Sequence, residues 1–154
     1  MSTDPKLVEL RPQFREKLEP ILDELERLGF QPKISNAYRT AAEQLEKVRL
    51  GYAMPGATSP GTHNWGLAAD LIDRRYGWTP CPEAASFFAK LADLARAAGL
   101  TSGGIWFGKG GTRLVPTHHS PWNAWGLGWD PAHVEHQGAP AELRQDYGPE
   151  NRPS

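Results

Sequence analysis

The chain has 154 residues, 39% of them hydrophobic and 23% charged, with a formal net charge of −1. That length suits one real core, and the near-neutral charge argues against nucleic acid or another polyphosphate as the main ligand. A single cysteine, Cys81, excludes both an intramolecular disulfide and a cysteine-rich structural zinc site.

In chain order, the first predicted element is an amphipathic helical segment over residues 5–28. Leu7, Leu10, Phe14, Leu18, Ile21, Leu22, Leu25 and Leu28 recur at helical spacing. Pro5 suits its start and Gly29 its end, while Pro12 and Pro20 are expected to kink or split it. The stretch KISNAY, 33–38, reads as a short strand, and Thr40 with Glu43 reads as the capped start of a helix through AAEQLEKVRLG. A Gly-, Pro-, Ser- and Thr-rich loop covers 51–62, followed by a strand near 67–72. Residues 82–98 form an amphipathic helix stopped by Gly99, and SGGIWFG after it reads as a strand. A long loop with Gly, Trp and His, 108–128, precedes a last strand HVEH, 133–136. The end of the chain, GPENRPS, reads as a frayed tail.

The six tryptophans, 16 glycines and 14 prolines point to long shaped loops rather than a helical bundle. With no repeat and no regular strand–helix alternation, the expected class is α+β, a small central antiparallel sheet with helices packed around it. The expected organisation is one domain over 1–154, with its core at about 30–137. The N-terminus MSTDPKLVELRPQF lacks the apolar centre of a signal peptide, and no run is as long as a membrane span. Synthesis in the cytoplasm is expected, with no membrane partner.

Chemistry concentrates in two stretches. In SPGTHNWGLAADLID, 59–73, Leu67, Ala69 and Leu71 share one strand face, and Ala68, Asp70 and Ile72 share the other. An aspartate among small apolar residues is unfavourable unless it is paired or holds a metal. In GWDPAHVEH, 128–136, a turn into a strand puts Asp130 and His133 at one strand end, with His133 and Glu135 on one face and His136 opposite.

Taken together, His63, Asp70 and His133 form a two-histidine, one-carboxylate set that can hold zinc and leave a fourth position open for water. Zinc lowers the pKa of bound water to about 7. Asp130, a carboxylate outside that set, is the candidate general base. Arg39 in SNAYRT is the candidate clamp for a substrate carboxylate or a developing oxyanion.

Each residue also has a structural alternative. Asp70 could pair with Arg74 or Arg75, Asp130 before Pro131 is an ordinary turn, and Arg39 is an ordinary surface charge. Glu135 could orient a ligand histidine or pair with a base. Trp65, Trp106, Trp122, Trp125 and Trp129 read as core or loop packing, and His118, His119 and His136 as surface or supporting residues. The structural readings weaken when combined, because three ligands and two assistants suit one reaction class.

The order SNAYRT, THNWGLAADLID, GLTSGGIWFG, WDPAHVEH resembles the zinc peptidases of bacterial peptidoglycan. These VanY-like enzymes include D-alanyl-D-alanine dipeptidases and carboxypeptidases and the phage L-alanyl-D-glutamate endolysins. His63, Gly66, Ala68 and Asp70 match the first half of the family signature, S-x-H-x-x-G-x-A-x-D, and Asp130 and His133 match the second. The resemblance covers roughly 30–137. It implies one zinc ion on His63, Asp70 and His133, Asp130 as catalytic base, Arg39 on substrate, and the family's α+β fold.

There are departures. Gly61 stands where the signature has Ser, Ala132 stands where the dipeptidase branch has Trp, and the loop 108–128 is longer than the endolysin pattern. Asp at 130 and GGIW upstream look like the endolysin branch.

The expectation is therefore a monomeric zinc peptidase acting on the peptidoglycan stem peptide, first on L-alanyl-D-glutamate, with D-alanyl-D-alanine carboxypeptidase next. Arg39, Trp125 and Trp129 are the expected substrate contacts. Such a protein reaches the wall by phage- or prophage-type release or through a secretion machine. A catalytically inactive, zinc-containing wall-binding module is the alternative of another class.

Overall fold

A computed structural model of the chain describes residues 2–37, 42, 43, 46, 49, 50, 66–105 and 120–137. Four strands form one antiparallel sheet: β1, Pro32–Asn36; β2, Ala68–Asp73; β3, Leu100–Ser102; and β4, His133–His136. Their spatial order is β1-β2-β4-β3. Among the described residues, the helices α1, Pro12–Arg27, and α2, Pro82–Ala97, join this sheet in an α+β architecture. Among the described residues no helix is long and apolar enough to cross a membrane.

The N-terminal segment splits at Pro12. A 3-10 turn, Pro5–Glu9, precedes α1, and Pro12 occupies the first turn of α1. Proline fits there because first-turn N–H groups have no partner within the helix. Pro20 stays inside α1, on its exposed face, where water can replace the missing helix bond. The apolar stripe is buried from Leu7 to Leu25, whereas Leu28 emerges at the end. Asp4 ties this segment to the sheet, since its carboxylate accepts from the Lys6 N–H at 3.0 Å and from the Ile34 N–H of β1 at 2.8 Å.

The Cys81 sulfur caps α2 by accepting from the Ala84 N–H, and Gly99, at φ 77°, ends it. The buried face of α2 carries Ala84, Ala85, Phe87, Phe88, Leu91, Ala92 and Ala95, and it packs on α1, β2 and β3. Phe87 and Phe88 meet edge to face at 5.5 Å, and Phe88 meets Trp122 at 4.9 Å. Trp122 belongs to a 3-10 turn, Pro121–Trp125, so the end of the long 108–128 segment is anchored in the core.

Two elements differ from expectation. SGGIWFG is a strand only at its first residue: β3 ends at Ser102, Gly103–Ile105 form a 3-10 turn, and 106–108 lie outside the described residues. The physical reason is the close approach of the Asp130 main chain at Gly103. Of the helix expected after Thr40, Ala42, Glu43, Glu46 and Arg49 are helical, Leu50 is in a turn, and the rest lies outside the described residues.

Candidate metal-dependent active site

Strand register assembles the site. Asp70 lies directly opposite His133 in the β2–β4 ladder, and Asn36 lies opposite Asp70 across a bulge between Ile34 and Asn36 in β1. Directly opposed residues of an antiparallel pair point to the same face. Ile34, Ala69, Leu71 and Val134 belong to the apolar core under the helices. Asp70, His133 and Glu135 alternate with them, so strand periodicity puts them on the other face.

His133 is the centre of this group. Its Nδ1 lies 3.2 Å from Asp70 Oδ1, and its Nε2 lies 2.7 Å from Glu135 Oε1. The second oxygen of Asp70, Oδ2, accepts from Asn36 Nδ2 at 3.2 Å. Asp70, His133 and Glu135 are all under a tenth exposed. Burial alone lowers the His133 pKa. The hydrogen bonds to Asp70 and Glu135 and the nearby charge of Asp130 override burial and push it up to about 10. Without a metal, His133 is thus an imidazolium at neutral pH, donating from both nitrogens.

The outer atoms show how the pair fits a metal. Donors about 2.0–2.1 Å from a tetrahedral zinc stand about 3.3 Å from each other. The 3.2 Å between Asp70 Oδ1 and His133 Nδ1 matches that edge. Glu135 engages the other ring nitrogen and Asn36 the other carboxylate oxygen, which is how supporting groups hold ligands in zinc sites. The pair alone is not a complete ligand set. Among the described residues no three His, Cys, Asp or Glu side chains form a group able to hold a metal. His63, the third expected ligand, lies outside the described residues, as do Arg39, Gly61, Trp65, Trp106, His118 and His119.

Asp130 sits in the turn entering β4, where its carbonyl accepts from the His133 N–H at 3.1 Å. The turn thus couples Asp130 to His133 directly. Trp125 is 40% exposed and packs on Trp122 at 6.0 Å, while Trp129 is half-buried. Arg75 is not the partner suggested for Asp70. Instead it closes on Asp73, donating to Oδ1 at 3.0 Å and to Oδ2 at 2.8 Å, and Asp73 also accepts from the Gln31 and Arg75 N–H groups. Asp73 takes the neighbouring arginine, whereas strand register, not chain proximity, sets Asp70 against His133.

Sequence reasoning missed two contributors. Asn36 was visible only as part of the strand KISNAY, and no local pattern signals a contact 34 residues away. Gly103 was visible in the Gly-Gly pair, a composition that often marks close approach of another backbone.

Neither a protein-family model nor a curated protein matches the sequence. Solved structures do match in shape. The Serratia marcescens L-Ala D-Glu endopeptidase ChiX superposes with a TM-score of 0.57 at 18% identity, over 93% of this chain and 88% of that one. VanYB in complex with D-Alanine-D-Alanine gives 0.52 at 16% identity, over 92% and 80%. The vancomycin resistance D,D-pentapeptidase VanY in complex with Zn(II) gives 0.50 at 18% identity, over 92% and 82%. The fold is therefore that of the VanY-like peptidoglycan peptidases.

Proposed function

We propose that this protein is a zinc-dependent peptidase of the peptidoglycan stem peptide, cutting first at L-alanyl-D-glutamate. The observation that carries this reading is the buried pair Asp70 Oδ1–His133 Nδ1 at 3.2 Å, with its outer atoms held by Asn36 and Glu135. The fold shared with ChiX and the VanY enzymes supports it. His63, Asp70 and His133 would hold the zinc.

When bound, zinc supplies a Lewis acid that polarises the scissile carbonyl and acidifies water to a pKa of about 7. The chain's own residues do the rest. Glu135 accepts the Nε2 proton of His133, which fixes the tautomer and leaves Nδ1 as the ligand atom. Asn36 donates to Asp70 Oδ2, a contact that would orient the carboxylate that holds the metal. Asp130 takes the proton of the attacking water and returns it to the leaving amine. Arg39 pairs with a carboxylate of the acidic substrate, and Trp125 and Trp129 flank it.

The test is mass spectrometry of purified peptidoglycan fragments after incubation, with and without a zinc chelator. New termini after L-Ala that vanish with chelator support the proposal. New termini at D-Ala select the carboxypeptidase activity. Zinc bound at one per chain with no cleavage refutes the enzyme reading and leaves a wall-binding module. Asp130→Asn is expected to keep zinc and lose at least about 10²-fold in kcat. His63→Ala and His133→Ala are expected to lose zinc and activity together.

A further inference from the structure

The Gly103–Gly104 turn lies outside the metal pair, yet it grips the segment that carries Asp130. A Cβ built on Gly103 would overlap the carbonyl oxygen of Asp130. It would also stand 2.9 Å from the Asp130 carbonyl carbon and 3.0 Å from its Cβ. Real Cβ atoms do not approach backbone so closely, so the main chain of Asp130 occupies the volume that any other residue at 103 would need. The overlapped oxygen is the one that accepts from the His133 N–H. Gly104 makes a second contact, its carbonyl accepting from the Gly128 N–H at 2.6 Å. The Gly104 N–H in turn donates to the buried Ser102 Oγ at 3.0 Å. The strand partner of Ser102 is Val134, next to His133, so this clamp is built on the sheet that carries the ligands.

We infer that Gly103 is a positioning residue for Asp130: its missing side chain lets the Asp130 carbonyl close the turn to His133, which sets the carboxylate's place beside the imidazole. The inference rests on the reading of Asp130 as general base. Displacements of about 1 Å in a reacting group lower rates by about 10²-fold. A methyl group at 103 forces a shift of that order through Asp130.

The decisive variant is Gly103→Ala. The expected result on stem peptide is a fall in kcat of about 10²-fold with KM unchanged, one zinc per chain retained, and a crystal structure with Asp130 moved relative to His133. Gly29→Ala serves as control. Gly29 has φ 95° and open space around it, so alanine there strains the backbone and lowers stability, while kcat stays at the wild-type value. Where Gly103→Ala does not accumulate as folded protein, Ser102→Ala loosens the same clamp without adding atoms, and a fall of several-fold in kcat at unchanged KM is expected.

Wild-type kcat in Gly103→Ala, or in Ser102→Ala when that variant replaces it, overturns the inference. So does loss of activity in step with loss of zinc. If the wild type cleaves no stem peptide, the proposed function fails by itself. The crystal structure then decides the positioning claim: Asp130 displaced upholds it, and Asp130 in place overturns it.

Discussion

Replacing Glu135 by glutamine gives the sharpest reading of the site. Glu135 Oε1 lies 2.7 Å from His133 Nε2, a charge-assisted length, and the two side chains are 10% and 7% exposed. Water therefore screens little of the interaction. Losing the group that orients a metal-ligating histidine weakens metal affinity about 10–100-fold, or about 1.4–2.7 kcal/mol. Glutamine keeps an amide oxygen able to accept the same N–H, which puts Glu135→Gln near the lower bound. Glu135→Ala leaves that N–H buried without its acceptor and belongs near the upper bound.

Protons compete for the same nitrogen. On the proposed ligand assignment, with the His133 pKa pushed up to about 10, zinc must displace a proton from Nδ1 at neutral pH. Wild-type affinity therefore climbs with pH toward 10, while the variants, with a less basic imidazole, level off earlier. The gap between wild type and variant is consequently wider at pH 9 than at pH 7. Competition against a zinc-binding indicator at both pH values measures it, with thermal melting of the metal-free proteins as the folding control. Affinities within twofold of wild type at pH 9 would refute the assignment of Glu135 as the orienting carboxylate.

Three further outcomes are expected. In chelator, the raised His133 pKa contributes stability that is complete below its unfolded value of about 6.5 and is lost as pH rises through about 10. Urea midpoints should fall from pH 7 to pH 10, and fall less in Glu135→Gln; equal pH dependence in both proteins contradicts this. Asn36→Ala removes the Asn36 hydrogen bond to Asp70 Oδ2 and should weaken zinc by up to about tenfold without unfolding the protein; calorimetric titration with zinc tests it, and unchanged affinity removes Asn36 from the site. Phe88→Ala, fully buried between Phe87 and Trp122, should destabilise by about 3–5 kcal/mol. Trp78→Ala, at a position 46% exposed, should be milder; comparable losses in denaturant melts would argue against this packing order.

Much of the fold was legible because its information is local. The stripe Leu7 to Leu25 and the face Ala84 to Ala95 carry helical periodicity, and proline and glycine mark their ends. HVEH reads as a strand from its own pattern, and His133 and Glu135 do meet on one of its faces. The pairing of Asp70 with His133 has a different origin. It joins residues 63 positions apart and exists because β2 and β4 align in one register. A slip of one residue in either strand would send that strand's side chain into the apolar layer and part the two.

Residue types in sequence thus determined which groups could bind a metal and move a proton. Only the tertiary structure decided which of their atoms face each other. Asp73, not Asp70, takes Arg75. Asn36 reaches across the bulge to Asp70, and Gly103 yields its side-chain volume to Asp130. Such choices depend on strand register and on excluded volume between segments distant in the chain, and neither quantity is written in any local stretch of sequence.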